Sequence, residues 1–423
     1  MNNAKLALLF VVVPVLYGSD SGTEHFRADF EERAIAAQAA HLKTDQQIAF
    51  YQDLVRTRPD VPGFKVRLVS ALLQKMRETT DFGYVDRASR IVDDVLKFDT
   101  ANYDALRLKT GIQLEYHYFS KAAESSRRLI AMAPFDALNY GTLADALMES
   151  GDYDSAASIL QKMVDLRPDL ASYNRVAHYR FVNNDVSGAI DIMKHAISAG
   201  SSAPENVAWC LVELGNIYFK IGKLSEAAEA FTAALRLFPA YHTSHAGLGR
   251  VLAAKGDRQA AIVSYKRAQS ITPMPDYAAA LFDLYSATGK KYEAEQQRRS
   301  IELIDRLMLA NNEKANRNLS LIYSDHNWKP ARALELAQNE LAYRQDVYTF
   351  DALAWALYRN SRFLEAREAA LKAMNLNTPE PQFYLHASLI ESALGNSREA
   401  NGLWTKAVEL DPAWPAPERS PLP

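Results

Sequence analysis

Along most of the chain apolar residues recur at positions i, i+3, i+4 and i+7, the spacing that gives a helix one buried stripe. Between Ala208 and Tyr241 the first stripe is Leu211, Leu214, Gly215 and Tyr218. After a polar break at Gly222 a second one follows, with Ala227, Phe231, Ala234 and a closing Pro239. The same residue types return in the next segment as Leu248, Gly249, Leu252, Ala261, Tyr265, Ala268 and Pro273. Each segment therefore predicts two helices joined by a tight turn. Glycine at the turn supplies the positive φ that a helix C-terminus commonly needs, and proline ends the second helix because it lacks an N–H. Gly215, Gly249 and Ala227 let two backbones approach, while Phe231 or Tyr265 fills the space beside them.

This pattern is a repeat. A turn residue followed five positions later by alanine occurs at Gly83 to Ala88, Gly151 to Ala156, Gly222 to Ala227, Gly256 to Ala261, Gly289 to Ala294 and Gly395 to Ala400. Weaker copies begin at His117, Asn184 and Ser361, and a member missing from the series is expected near Asn327 and Trp328, where Pro330 opens a helix. Ten turn positions result, most of them 33 or 34 residues apart. Gln47 to Pro59 reads as a leading half unit. Departures lie at Val61 to Thr80, at Ala199 to Pro204, and after Ala294, where the helix runs on to Leu309. These are expected to bend the array, or to break it in two near Asn311 and Asn312.

A unit of about 34 residues with small and aromatic residues at these places resembles the tetratricopeptide repeat family, over about nine tenths of the chain. The resemblance implies an all-α fold, an α-solenoid of stacked helix-turn-helix repeats forming a right-handed superhelix with a concave groove. The organisation expected is a signal peptide at 1–21, an N-terminal linker or helix at 22–45, a first part of the array at 46–310, a second at 311–414, and a proline-rich tail at 415–423.

Composition narrows the function. Apolar residues make up 48% and charged residues 23%, as in an ordered globular chain. The formal net charge of −3 leaves no basic stripe, so nucleic acid is not an expected partner. Lys5 precedes the apolar run Leu6 to Tyr17, and small polar residues follow from Gly18 to Gly22, the shape of a secretory signal peptide. A periplasmic or secreted location is expected, with membrane association only if that segment is retained.

No catalytic or cofactor motif is present: there is no glycine-rich phosphate loop, Gly-x-Ser-x-Gly elbow or HExxH. The one cysteine, Cys210, reads as a small buried residue, and His242 with His245 as solvated residues at a helix start rather than metal ligands. His117 reads as a turn residue. No enzyme activity, cofactor or metal is expected.

In the resembling family the first helix of each unit lines the concave face. Carried over, this nominates Asn174, His178, Trp209, Asn216, Arg250, Asp283, Tyr348, Asp351, Trp355 and Tyr358, with Asp145 and Glu149, as a groove for a protein or peptide partner. Asn216 and Lys220 match part of a carboxylate clamp found in some members. Val212 and Ala246 stand where its other basic residues belong, so no clamp is expected. The expected function is a protein-protein interaction scaffold. The alternatives are a non-catalytic accessory subunit of an envelope glycosylation, polysaccharide-export or secretion system, or a protein that self-associates through its end repeats, where Trp404, Leu410 and Trp414 make the last unit partly apolar.

Overall fold

The computed structural model describes residues 34–201, 203–310 and 316–411. The described residues are helical with short connections, and no strand occurs among them. After the helix Thr44–Thr57, ten helix pairs follow. The first five are Pro62–Thr79 with Gly83–Phe98, Tyr103–Glu115 with Phe119–Met132, Ala137–Glu149 with Tyr153–Leu166, Leu170–Val182 with Val186–Ala199, and Pro204–Lys220 with Leu224–Leu237. The second five are His242–Ala254 with Arg258–Ile271, Pro275–Ala287 with Lys291–Ala310, Arg317–Asp325 with Pro330–Leu341, Val347–Arg359 with Phe363–Ala373, and Pro381–Ala393 with Ser397–Leu410.

The turn inside each pair is closed by a residue in the left-handed region. Gly151, Gly222, Gly256, Gly289 and Gly395 serve in five pairs, and Thr80, His117, Asn184, Asn327 and Ser361 in the others. Backbone bonds reaching five residues back, such as Asp152 N–H to the Leu147 carbonyl at 3.0 Å and Asp257 N–H to the Leu252 carbonyl at 2.9 Å, seal the helix ends. Asn327 supplies the member missing from the sequence series. Gly83 departs from expectation, because it is the first residue of a helix and the turn before it is made by Thr80 (φ 55°).

The small positions are where aromatic rings sit. A Cβ built on Gly215 would lie 2.7 Å from the Phe231 ring, and one on Gly247, in the next unit, 2.5 Å from the same ring. Tyr265 approaches Gly249 in the same way, at 2.7 Å. Phe231 is thus gripped between two units and is fully buried, so close helix approach and aromatic packing are one feature.

The core also continues past Ala310, since Ile301 and Met308 share a cluster with Leu319, Ile322 and Tyr323. The Tyr323 hydroxyl and the Arg332 guanidinium both donate to the Asp305 carboxylate, at 2.9 and 3.0 Å. Asn311 and Asn312, where a break was anticipated, lie outside the described residues, as do residues 1–33 with the apolar run and residues 412–423 with the proline-rich tail.

Candidate partner-binding surface

The nominated groove residues come from the first helices of successive units, but they do not form one open strip. Many are tied to the unit beside them. Arg250 donates to the Asn216 side-chain oxygen Oδ1 and stacks its guanidinium over Phe219 at 5.1 Å. Arg175 holds Asp145 through Nε and Nη2 at 2.8 to 3.0 Å. His326 meets Asp283 at 2.9 Å, and Asn318 donates to Asp276 at 3.2 Å. Such pairs join residues about one repeat apart, so the inner face is laced by charge-assisted bonds between neighbouring first helices.

Two nominated residues must be corrected. Asp351 is buried and contacts His386 Nδ1 at 2.9 Å. Trp355 is only 4% exposed, donates its indole N–H to Asp325 at 2.8 Å, and is stacked between His386 at 4.2 Å and Tyr358 at 4.9 Å. Both are consumed by packing between units, and a partner cannot reach them. Tyr358 is half-buried in the same stack. Trp209, 37% exposed, and Asn174, half-buried, are separate from that group.

His242 also differs from the sequence reading. It is buried, with Nδ1 2.7 Å from the Tyr277 hydroxyl, and burial pushes its pKa down to about 4. His117 is a turn residue as expected, stacked on Phe119 at 5.5 Å and likewise pushed down to about 4 by burial. Cys210 is fully buried, and that burial pushes its thiol up to about 12.

The feature that the sequence did not show is a seam between successive turns of the superhelix. Thr272 Oγ1 donates to the Thr79 carbonyl at 3.3 Å, Val347 N–H to the Tyr153 hydroxyl at 3.0 Å, and Thr378 Oγ1 to the Val182 carbonyl at 2.6 Å, across 193, 194 and 196 residues. The near-constant separation, a little under six units, is the length of one turn. At each contact the connection between two units meets the end of a first helix, or the start of its partner, one turn earlier. Around Gly151 the seam is reinforced by Gln345 N–H donating to the Glu149 carbonyl at 2.8 Å and by an Arg344–Glu149 ion pair at 2.6 Å. Further on, Lys220 meets Glu380 at 2.6 Å and lies over the rings of Phe181 and Tyr348 at 5.1 and 5.3 Å.

With the turns in contact, several inner-face side chains are crowded by protein from neighbouring units. His178 keeps a water-accessible surface while protein surrounds it, and this burial, with the Lys220 charge, lowers its pKa. Burial raises Glu213 against the opposing pull of Lys220 and Arg250, and raises Asp276 likewise. At the seam, burial pushes Glu149 up to about 7 despite Arg344. Burial alone would lower Lys220, but Glu380 and Tyr348 outweigh it and raise it. Among the described residues no cluster of three or more potential metal ligands occurs, and no helix is long and apolar enough to cross a membrane.

Stacked helix pairs with a left-handed turn inside each pair and an aromatic ring seated on a small residue define a helical-repeat solenoid. The tetratricopeptide repeat profile matches residues 119–171, 142–204 and 212–273, so that part of the chain consists of tetratricopeptide repeats. No curated protein matches it in sequence. Among solved structures it is similar to PilW, a widely conserved type IV pilus biogenesis factor, at 14% identity over 48% of this chain and 93% of that one, with a TM-score of 0.43. A thermophilic tetratricopeptide repeat protein of Thermus thermophilus is 20% identical over 46% of this chain and all of its own, with a TM-score of 0.40. The Cut9–Hcn1 hetero-tetramer of the APC/C matches over 92% of this chain and 71% of that one, at 14% identity and a TM-score of 0.49.

Proposed function

We propose that this chain is a non-catalytic scaffold that holds an extended segment of a partner protein against the inner face of its superhelix, in an exported location. The fold is that of protein-protein interaction scaffolds. One observation carries the choice of surface: His178, Glu213, Lys220 and Tyr348 line the inner face with charged and aromatic groups that still reach water, although protein surrounds them. Charged and aromatic groups held in place by a rigid array can fix a partner's register, and aromatic anchors dominate interface energies.

The test is site-specific photo-crosslinking in the native host, with the photoreactive residue at His178 and a control at Val263, which is 61% exposed on a second helix. Capture of a defined protein from position 178 alone supports the assignment. Capture from 263 alone, or the same products from both, refutes it. Export is tested by fractionation and N-terminal sequencing. A mature chain beginning near Ser19 or Gly22 supports it, whereas an intact Met1 end on a cytoplasmic protein overturns it.

A further inference from the structure

We propose that His326 is a proton-operated tie on the inner face: as an imidazolium it holds Asp283 of the preceding helix pair, and on losing a proton it releases that carboxylate to water. The proposal concerns the chain alone and stands whether or not the inner face binds a partner.

The first argument is hydrogen-bond geometry. Nδ1 lies 2.8 Å from the Ile322 carbonyl oxygen, and Nε2 lies 2.9 Å from the Asp283 carboxylate. A carbonyl oxygen only accepts, as does an ionised carboxylate, whereas a neutral imidazole carries a single N–H. The doubly protonated ring is the form that donates to both at once.

The second argument is the setting. His326 caps the C-terminal end of Arg317–Asp325, where carbonyls without helical partners favour a cation. The Trp328 ring lies nearly parallel to the imidazole at 4.2 Å, and the Phe282 ring meets it edge to face at 5.2 Å. A cation over an indole face gains an attraction that a neutral ring lacks. The other charged groups nearby are Asp325, whose carboxylate accepts from the Trp355 indole, and Arg359, whose guanidinium is engaged by the Ser324 and Asp325 carbonyls. Lys329 is turned to Tyr323, Glu302 and Asp305. Burial works against the charge, but Asp283, the Ile322 carbonyl and Asp325 outweigh it and raise the pKa above its ordinary 6.5. Burial prevails instead at His117, His178, His242 and His245, whose pKa values are lowered.

Which bond yields follows from the two acceptors. The Ile322 carbonyl is fixed in its helix, where it also accepts the His326 backbone N–H at 3.3 Å. The Asp283 side chain is 51% exposed and can rotate into water. The neutral ring therefore keeps its proton on Nδ1, and its bare Nε2 repels the carboxylate. Ala278, Ala279, Ile301, Leu319 and Ile322 share one apolar cluster across the two helix pairs, so the units stay packed and only the polar tie changes. Because the folded-state pKa is raised, the tie is complete below pH 6.5 and is lost as pH rises through the folded-state value. Above that value Asp283 leaves an uncompensated negative charge on this stretch of the inner face.

Nitrogen NMR of the full chain carrying ring-labelled histidine tests the tie, with the His326 signals assigned by their loss in His326→Gln. Near pH 6 both ring nitrogens are expected to be protonated, the titration midpoint to lie above 6.5, and the alkaline form to be the Nδ1–H tautomer. Asp283→Asn is expected to lower the midpoint by about 0.5 or more, since it removes a half-exposed opposite charge. A ring that is neutral near pH 6, or a midpoint unmoved by Asp283→Asn, overturns the imidazolium tie. The Nε2–H tautomer at alkaline pH overturns the release, because the bond to Asp283 would then survive. If Asp283→Asn does not fold, as judged by circular dichroism, Asp283→Ser takes its place with the same expected direction. No partner enters the measurement, so its failure is distinguishable from failure to capture one.

Discussion

Replacing Gly151 with alanine separates the seam from the ordinary requirements of a turn. Gly151 has φ +77°, and alanine there costs about 1 kcal/mol through left-handed strain alone. Gly256 (φ +83°) carries the same strain, but nothing lies within 4 Å of its added Cβ. At Gly151 the new Cβ would lie 2.6 Å from the Gln345 carbonyl oxygen, closer than such atoms tolerate, and that oxygen belongs to backbone across the seam. Relief requires the two edges to separate. That removes the Gln345-to-Glu149 hydrogen bond, about 1 kcal/mol net, and loosens the adjoining Arg344–Glu149 pair. Gly151→Ala should therefore destabilise by about 2 to 3 kcal/mol and Gly256→Ala by about 1 kcal/mol. Urea unfolding of both variants beside the wild type measures the difference, and exchange at the Gln345 amide shows where it arises. Equal destabilisation by the two substitutions, with Gln345 protection unchanged in Gly151→Ala, would refute the claim that the turns are in contact there.

Three further outcomes follow from the packing. Phe231→Ala empties the space between Gly215 and Gly247 and should lower stability by about 3 to 5 kcal/mol, read from the urea midpoint. Trp355→Phe keeps most of the stacking but removes the indole donor to Asp325, an exposed carboxylate that water can reach; a loss of about 0.5 to 1.5 kcal/mol is expected, with binding to any captured partner unchanged in a pull-down of the folded variant. His242 is held neutral, with its pKa lowered from 6.5 to about 4. The folded state binds its proton less tightly than the unfolded chain, so the contribution is complete above pH 6.5 and is lost as pH falls towards 4. Relative to His242→Gln, the wild type should lose roughly 2 to 3 kcal/mol over that range; a constant difference between the two across pH would contradict a buried neutral imidazole.

Local order was legible because its causes are local. The spacing of Leu211, Leu214 and Tyr218 sets one face of a helix, and Phe231 follows Gly215 because a ring needs a neighbour without a side chain. Glycine marks half of the turns, and the copies at His117, Asn184, Asn327 and Ser361 kept their register without it. Thr80 was missed because threonine carries no left-handed signal and Gly83, three residues on, imitated one. The inner-face residues were legible as positions on a helix but not as free groups. Whether Asp351 or Trp355 faces a partner depends on whether His386 and Asp325, about one unit away, reach them first. The seam lies further from the sequence still. Its contacts join residues nearly two hundred positions apart, and they exist only because a small rotation between units accumulates until one turn meets the next. Sequence determined the unit, its turn and its buried stripe, since each depends on side chains a few residues apart. Tertiary structure alone decided that successive turns of the superhelix meet, because curvature is a sum over all the units and no single unit contains it.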